Sequence, residues 1–166
     1  MKYPVAVSVN GRAYRREVEA RTLLVDFLRD HLGLFGTHVG CETSQCGACL
    51  VTLDGLTLKA CTRLAVQADG AQVTTLEGLL VDGNLHPVQS ALLKECALTC
   101  GFCASGVVLA AKECLERKPV AGEDEVRRSL EGVFCRCTGY QPIVDAVRSL
   151  AAAPVRDLRD GATAEL

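Results

Sequence analysis

The stretch Cys41-Glu-Thr-Ser-Gln-Cys46-Gly-Ala-Cys49 decides how the first half of this chain folds. Its three cysteines are separated by four and two residues, and Cys61 follows after eleven more. This spacing is typical of the ligands of a plant-type [2Fe–2S] cluster, in which four thiolates surround two iron atoms. The small residues Gly47 and Ala48 leave room for backbone N–H groups to turn toward the sulfur atoms. The predicted ligands of this first cluster are Cys41, Cys46, Cys49 and Cys61.

A second group of cysteines lies further along the chain. Cys100-Gly-Phe-Cys103 and Cys135-Arg-Cys137 form two short pairs. The apolar pattern puts the first pair at the start of a helix and the second in the link between the last two helices, with Gly132 and Gly139 permitting tight turns. Two such pairs provide four thiolates, which suit an iron–sulfur cluster and a structural zinc ion equally well.

The other candidate ligands are expected to have structural roles. Cys96 and Cys114 have the pattern of small apolar core residues of helices, although Cys96 lies one helical turn before Cys100 and could exchange with it. The three histidines are expected at the surface or at helix ends, and residues 123–125 at the start of a helix. The histidines are His31, His38 and His86.

Composition excludes several classes of protein. The chain has 166 residues, 49% of them apolar, so we expect a packed core. Its 18 basic and 20 acidic residues are mixed along the chain, which disfavours nucleic acid or a membrane surface as partner. No apolar run has transmembrane length, and the N-terminus has no pattern of a secretion signal. We therefore expect a cytoplasmic protein in which most of the ten cysteines bind metal rather than form disulfides.

The first half of the chain has the pattern of a small sheet with one helix. Strands are predicted at 4–10 and, at the edge of the sheet, 13–19, joined by a turn at Asn10-Gly11. A helix is expected from an N-cap at Thr22 to Gly33. Further strands are predicted at 50–53 and 56–60, joined at Asp54-Gly55, and at 73–76.

From about residue 79 the apolar period becomes helical. One helix is predicted from Pro87 to about Ala97, another through 107–115 to Pro119, a third from 123 to Gly132 and a last one over 143–151. The predicted fold class is α+β. Residues 1–78 form a plant-type ferredoxin-like (β-grasp) domain, 79–154 a four-helix domain and 155–166 a tail.

The two cysteine motifs also carry a resemblance to a known family. The segments 100–103 and 134–143, the latter reading Phe-Cys-Arg-Cys-Thr-Gly-Tyr-Gln-Pro-Ile, resemble the small iron–sulfur subunit of the molybdenum hydroxylases, the group of xanthine oxidase and carbon monoxide dehydrogenase. The likeness is greatest to the three-subunit bacterial enzymes. It extends over about residues 3–152 and includes segments 21–24, 40–49, 65–70 and 86–89.

The resemblance implies a function. Each domain would hold one [2Fe–2S] cluster, the second through Cys100, Cys103, Cys135 and Cys137. A large partner subunit would bind molybdenum on a molybdopterin cytosine dinucleotide and oxidise an N-heterocycle, an aldehyde or carbon monoxide, and a medium subunit would bind FAD. The chain would pass electrons from molybdenum through the helical-domain cluster to the ferredoxin-type cluster and on to FAD, within a dimer of heterotrimers. In family members the counterpart of Cys137 lies near the pterin.

Four positions near the second cluster depart from the family pattern. Thr99 replaces a glutamine that contacts the pterin, Ala104-Ser105 replaces Thr-Pro, and Val133 replaces Asn. Two other functions remain open at this point. One is a stand-alone two-cluster carrier of the ferredoxin type, and the other is a zinc-stabilised binding module without a redox role.

Overall fold

A computed structural model describes residues 1–80 and 82–151. In this part of the chain a mixed sheet is followed by helices, which confirms the predicted α+β class. The strands are β1 (Lys2–Val9), β2 (Arg12–Glu19), β3 (Leu50–Leu53), β4 (Leu56–Lys59) and β5 (Gln72–Thr74). The helices are α1 (Leu24–Asp26), α2 (Pro87–Lys94), α3 (Ala104–Arg117), α4 (Glu123–Leu130) and α5 (Gln141–Ala151). The predicted tail 155–166 lies outside the described residues.

The five strands are arranged in the order β2-β1-β5-β3-β4, with β2 at an edge as predicted. β5 runs parallel to β1 and antiparallel to β3, and the other pairs are antiparallel hairpins. Both predicted turns are confirmed, with left-handed backbones at Asn10-Gly11 and Asp54-Gly55. β5 ends at Thr74, two residues before the predicted end. The N–H of Thr75 donates to Asn10 Oδ1 at 2.9 Å, so it cannot pair with a neighbouring strand.

The helix of the first half begins differently from the prediction. Its N-cap is Leu23, without a side-chain hydrogen bond, so the assignment of Thr22 as N-cap is wrong. The backbone supplies the missing acceptor instead, since Leu24 N donates to Arg63 O at 2.7 Å. α1 continues as a π-helical segment, Phe27–His31, and Gly33 follows its end with φ +72, as expected of a C′ glycine.

Within the described part of the second half, four helices, α2 to α5, lie near their predicted positions. α2 ends at Lys94, before the expected Ala97, because Cys96 takes a left-handed backbone. Ala97 N then donates to Leu92 O at 2.8 Å and Cys96 N to Leu93 O at 3.1 Å, which is the Schellman arrangement that closes a helix. None of the helices in the described ranges is long and apolar enough to cross a membrane.

The described residues bury two apolar cores. The first joins the alternating valines Val5, Val7 and Val9 of β1 to α1 and the turns after β4. The second lies between α2, α3, α4 and α5. Leu50 of β3 belongs to the second core whereas its neighbour Val51 belongs to the first. The strand that begins directly after Cys49 therefore ties the two halves together.

Candidate metal centres

The loop from Cys41 to Cys46 folds around the sulfur of its own first cysteine. Glu42 and Ser44 have left-handed backbones, with φ of 54° and 64°. The backbone N–H groups of residues 43, 45 and 46 donate to Cys41 Sγ at 3.4, 3.4 and 3.3 Å. Such a concave set of N–H groups stabilises an anion. The N–H of Cys46, followed by the hydroxyl and N–H of Thr43, lowers the pKa of Cys41 to about 6.

Cys49 and Cys61 lie opposite this loop, inside the first core. Cys49 immediately precedes β3, and Cys61 lies in a 3-10 turn, Ala60–Thr62, that follows β4. The β3–β4 hairpin therefore returns Cys61 to the loop, as predicted, and Ala60 N donates to Cys49 O at 3.1 Å. Burial, with a smaller contribution from the nearby Cys61 thiol, raises the pKa of Cys49 to about 11.

The second set also occupies its predicted places. Cys103 precedes the first residue of α3, and Cys135 and Cys137 lie in the link between α4 and α5. The thiols of this set act on one another: Cys103 is influenced by Cys135 and Cys100, and Cys137 by Cys100 and Cys135. Burial, followed by the hydrogen bond with Cys135, raises the pKa of Cys103 to about 12. The hydrogen bond with Cys100 raises the pKa of Cys137.

Two polar side chains hold Cys135 in place. Tyr140 Oη accepts a hydrogen bond from Cys135 N at 2.8 Å and donates to Val133 O at 3.1 Å. Thr138 Oγ1 donates to Cys135 Sγ at 3.1 Å. Burial raises the pKa of Cys135, but the hydrogen bonds from Thr138, together with those from the Cys137 backbone and the Cys103 thiol, outweigh it, so the pKa is lowered. The hydrogen bonds of this link thus stabilise the thiolate form of Cys135.

The donor chemistry of the two sets matches the needs of an iron–sulfur cluster. Each set supplies four thiols, and thiols within a set shift one another's pKa. Four thiolates around two iron atoms are the ligands of a [2Fe–2S] cluster, so both sets fit such clusters. A structural zinc ion would take the same four thiolates. Ligation requires thiolates, so binding at the buried members releases protons.

The loop that carries Cys41, Cys46 and Cys49 touches the segments that carry the second set of cysteines. We call these the two ligand loops. Phe134 N, next to Cys135, donates to Cys46 O at 2.8 Å. Ser105 Oγ, at the start of α3, donates to Ala48 O at 2.9 Å. A Cβ atom on Gly47 would lie 2.2 Å from Gly132 O, and one on Gly106 would lie 2.3 Å from Gly47 O. Gly47 is thus required by this contact between the halves and by its φ of +75°, whereas the sequence suggested only access to the sulfur atoms.

His38 makes a second connection between the two sites. Its Nδ1 lies 2.8 Å from Phe102 O, within the Cys100–Cys103 segment, so the tautomer with a proton on Nδ1 donates to that carbonyl. The two rings stack with centroids 5.1 Å apart and 14° between their planes. His38 N also donates to Ala48 O at 3.1 Å. His38 therefore links the two ligand loops. Its prediction as a surface or helix-end residue did not include this contact.

The remaining candidates have the structural roles expected of them, with one exception. Cys96 is exposed at the end of α2, so its prediction as a buried core residue is wrong. Cys114 packs half-buried against the second core. His86 caps α2 by accepting from Val88 N at 3.2 Å, and the acids at 123–125 form the first turn of α4.

The sequence alone does not reveal three residues that support the sites. Ser105 stands out in it only as a departure from the family pattern, and Tyr140 only as part of a motif. Lys59, whose Nζ donates to Ser44 O and Gln45 O at 2.6 and 3.1 Å, had no signal at all. The hydrogen-bond partners of Lys59 and Ser105 lie between 14 and 57 residues away along the chain. No local sequence pattern reveals contacts at such a separation.

Comparison with known proteins agrees with this geometry. Residues 7–75 match a family described as a 2Fe-2S iron-sulfur cluster binding domain, and residues 75–148 match a [2Fe-2S] binding domain. Caffeine dehydrogenase subunit gamma of Pseudomonas sp. (strain CBB1) is 44% identical over 89% of this chain and 90% of its own length. The crystal structure of quinoline 2-oxidoreductase from Pseudomonas putida 86 contains a chain that superimposes with a TM-score of 0.88 at 39% identity, covering 90% of this chain and 93% of that one. Aldehyde oxidoreductase from Desulfovibrio gigas superimposes with a TM-score of 0.84 at 44% identity over 90% of this chain, which spans only 17% of that protein.

Proposed function

This chain belongs to the iron–sulfur subunits of the molybdenum hydroxylases, and from this premise we propose that it carries electrons between two partner subunits of an oxidoreductase complex. The family consists of iron–sulfur subunits of oxidoreductases, so this chain is one part of such an enzyme. Substrate chemistry would take place on another subunit.

The contact between the two ligand loops is the observation that supports this function most directly. The hydrogen bond from Phe134 N to Cys46 O joins the residue before one predicted ligand to the main chain of another. The close approach of Gly47 to Gly132 and Gly106 leaves no room for a side chain between the loops. A chain with two independent binding sites would have no need of this contact, whereas a relay needs its two centres close and rigidly held.

Eight cysteines would hold the clusters in this proposal. When bound, each [2Fe–2S] cluster accepts and releases one electron. The first would be held in a ferredoxin-like domain, residues 1–78, and the second in a helical domain, residues 79–154. The N–H groups around Cys41 and the hydroxyl of Thr138 would stabilise thiolate ligands at each site. The proposed ligands are Cys41, Cys46, Cys49 and Cys61 for the first cluster, and Cys100, Cys103, Cys135 and Cys137 for the second.

The proposed partners follow from the family. A large subunit would bind molybdopterin, as its cytosine dinucleotide, with molybdenum, and a medium subunit would bind FAD. Electrons would leave the molybdenum subunit near Cys137, cross this chain toward Cys41 and reach the flavin. Relatives are named for the N-heterocycles caffeine, nicotine and quinoline and for aldehydes, so we propose an N-heterocycle or an aldehyde as the substrate class. We propose the cytoplasm as the location of the complex.

Metal analysis of the purified complex tests the proposal. We expect about four iron atoms and about four acid-labile sulfide ions per copy of this chain, reducible in two one-electron steps. Zinc in place of iron would instead identify a binding module. Iron and sulfide without a molybdenum subunit and a flavoprotein in the same preparation would identify a stand-alone carrier.

A further inference from the structure

Lys59 is connected to Cys41 through two peptide groups of the ligand loop. Its ammonium donates to the carbonyl oxygens of Ser44 and Gln45. Each of these carbonyls belongs to the same peptide group as an N–H that donates to Cys41 Sγ, namely those of Gln45 and Cys46. Two parallel chains therefore run from the ammonium, through a peptide group, to one sulfur atom.

Such hydrogen-bonded chains transmit the electrostatic effect of a charge. A cation at the carbonyl end of a peptide group polarises it and makes the N–H at the other end a stronger donor. Donors to the cysteine sulfurs of an iron–sulfur cluster stabilise the negative charge that reduction adds, so they raise the reduction potential. From this juxtaposition we propose that Lys59 is a positioning residue that raises the potential of the cluster bound by Cys41, Cys46, Cys49 and Cys61.

The surroundings of Lys59 keep its charge effective. It is the last residue of β4 and pairs in register with Leu50, so its backbone is held by the sheet. Its side chain is half-buried, and Gly132 from the second half borders the ammonium, since a Cβ there would lie 3.7 Å from Nζ. None of the ion pairs among the described residues includes Lys59. The positive charge is thus directed at the ligand loop, where it donates to two carbonyl oxygens.

The inference rests on the proposed function, because it takes Cys41 as a cluster ligand. It is tested by anaerobic redox titration of the purified complex with dithionite, followed by electron paramagnetic resonance. Each reduction adds one electron to a cluster and breaks no bond. In Lys59→Met, we expect the ratio of oxidised to reduced first cluster at a fixed potential to rise about three- to tenfold, where tenfold corresponds to about 59 mV for one electron.

Three comparisons make the test specific. The second cluster serves as the internal reference and should keep its potential. Lys2→Met removes the same charge from the exposed start of β1 and should change neither potential. Lys59→Gln keeps a hydrogen-bond donor but not the charge, so it should behave like Lys59→Met. It also replaces that variant if Lys59→Met fails to fold.

The possible failures are distinguishable. A wild-type complex without iron would overturn the proposed function and this inference together. Iron present in every variant, with the potential of the first cluster unchanged in Lys59→Met, would overturn the inference alone. The same would follow if Lys59→Gln had the wild-type potential, because the charge would then have no part in it.

Discussion

Replacing Gly47 by alanine tests how closely the first ligand loop fits the second half of the chain. Gly47 has φ +75°, a conformation that costs a residue with a side chain about 1–2 kcal/mol. In addition, the new Cβ would lie 2.2 Å from Gly132 O and 2.9 Å from Val133 Cα. Both are backbone atoms, so the α4–α5 link must move, at an overpacking cost of about 1–3 kcal/mol. The expected loss in the free energy of unfolding is therefore about 2–5 kcal/mol.

A control variant separates the two contributions. Gly11 has the same φ of +75°, but a Cβ there would meet nothing within 4 Å. Gly11→Ala should thus lose only the backbone contribution of about 1–2 kcal/mol. With a urea dependence of about 1–3 kcal/mol per molar, the midpoint of Gly47→Ala should lie about 1 M below that of Gly11→Ala.

The assay is anaerobic urea denaturation, followed by circular dichroism for the fold and by visible absorption for the clusters. Both signals should fall at lower urea in Gly47→Ala, since displacement of the link also moves Phe134 away from Cys46 O. Equal midpoints for the two alanine variants would show that the loops have space between them, and the argument for a rigid contact would be refuted.

Three further substitutions test other parts of the site. Ser105→Ala removes one of the two donors to the buried Ala48 carbonyl, the other being His38 N, and should lower the free energy of unfolding by about 0.5–1.5 kcal/mol in urea; an unchanged midpoint would argue against the bond. Tyr140→Phe removes the hydroxyl that bridges Cys135 N and Val133 O, and we expect a similar loss together with faster bleaching of the second cluster in urea; bleaching of the first cluster alone would contradict this. Cys100→Ser should disable the second cluster and stop turnover with substrate, while reduction of the flavin by an external donor persists; unchanged turnover would show that Cys100 is not a ligand.

The cysteine motifs and the turns could be predicted because they are encoded over short distances. The spacing of Cys41, Cys46 and Cys49 is a property of one loop, and Asn10-Gly11 and Asp54-Gly55 form their turns without help from the rest of the chain. The alternating valines of β1 and the helical periods after residue 79 likewise depend on neighbours a few residues away. These local preferences were sufficient for the fold class and for the positions of eight candidate ligands.

Local preference failed where a distant partner intervened. Thr22 does not cap α1, because the carbonyl of Arg63 accepts from the first turn instead. Cys96 is exposed, because the left-handed turn that ends α2 carries it out of the core. In both cases a backbone hydrogen bond outweighed a side-chain preference.

By itself, the sequence determined which thiols stand near one another along the chain and which segments bury an apolar face. Only the tertiary structure decided that Gly47 fits against Gly132 and that Lys59 reaches the peptide groups behind Cys41. The physical reason is range. Spacing and periodicity act over a few residues, whereas a backbone contact or a charge acts through space on whatever folding places beside it.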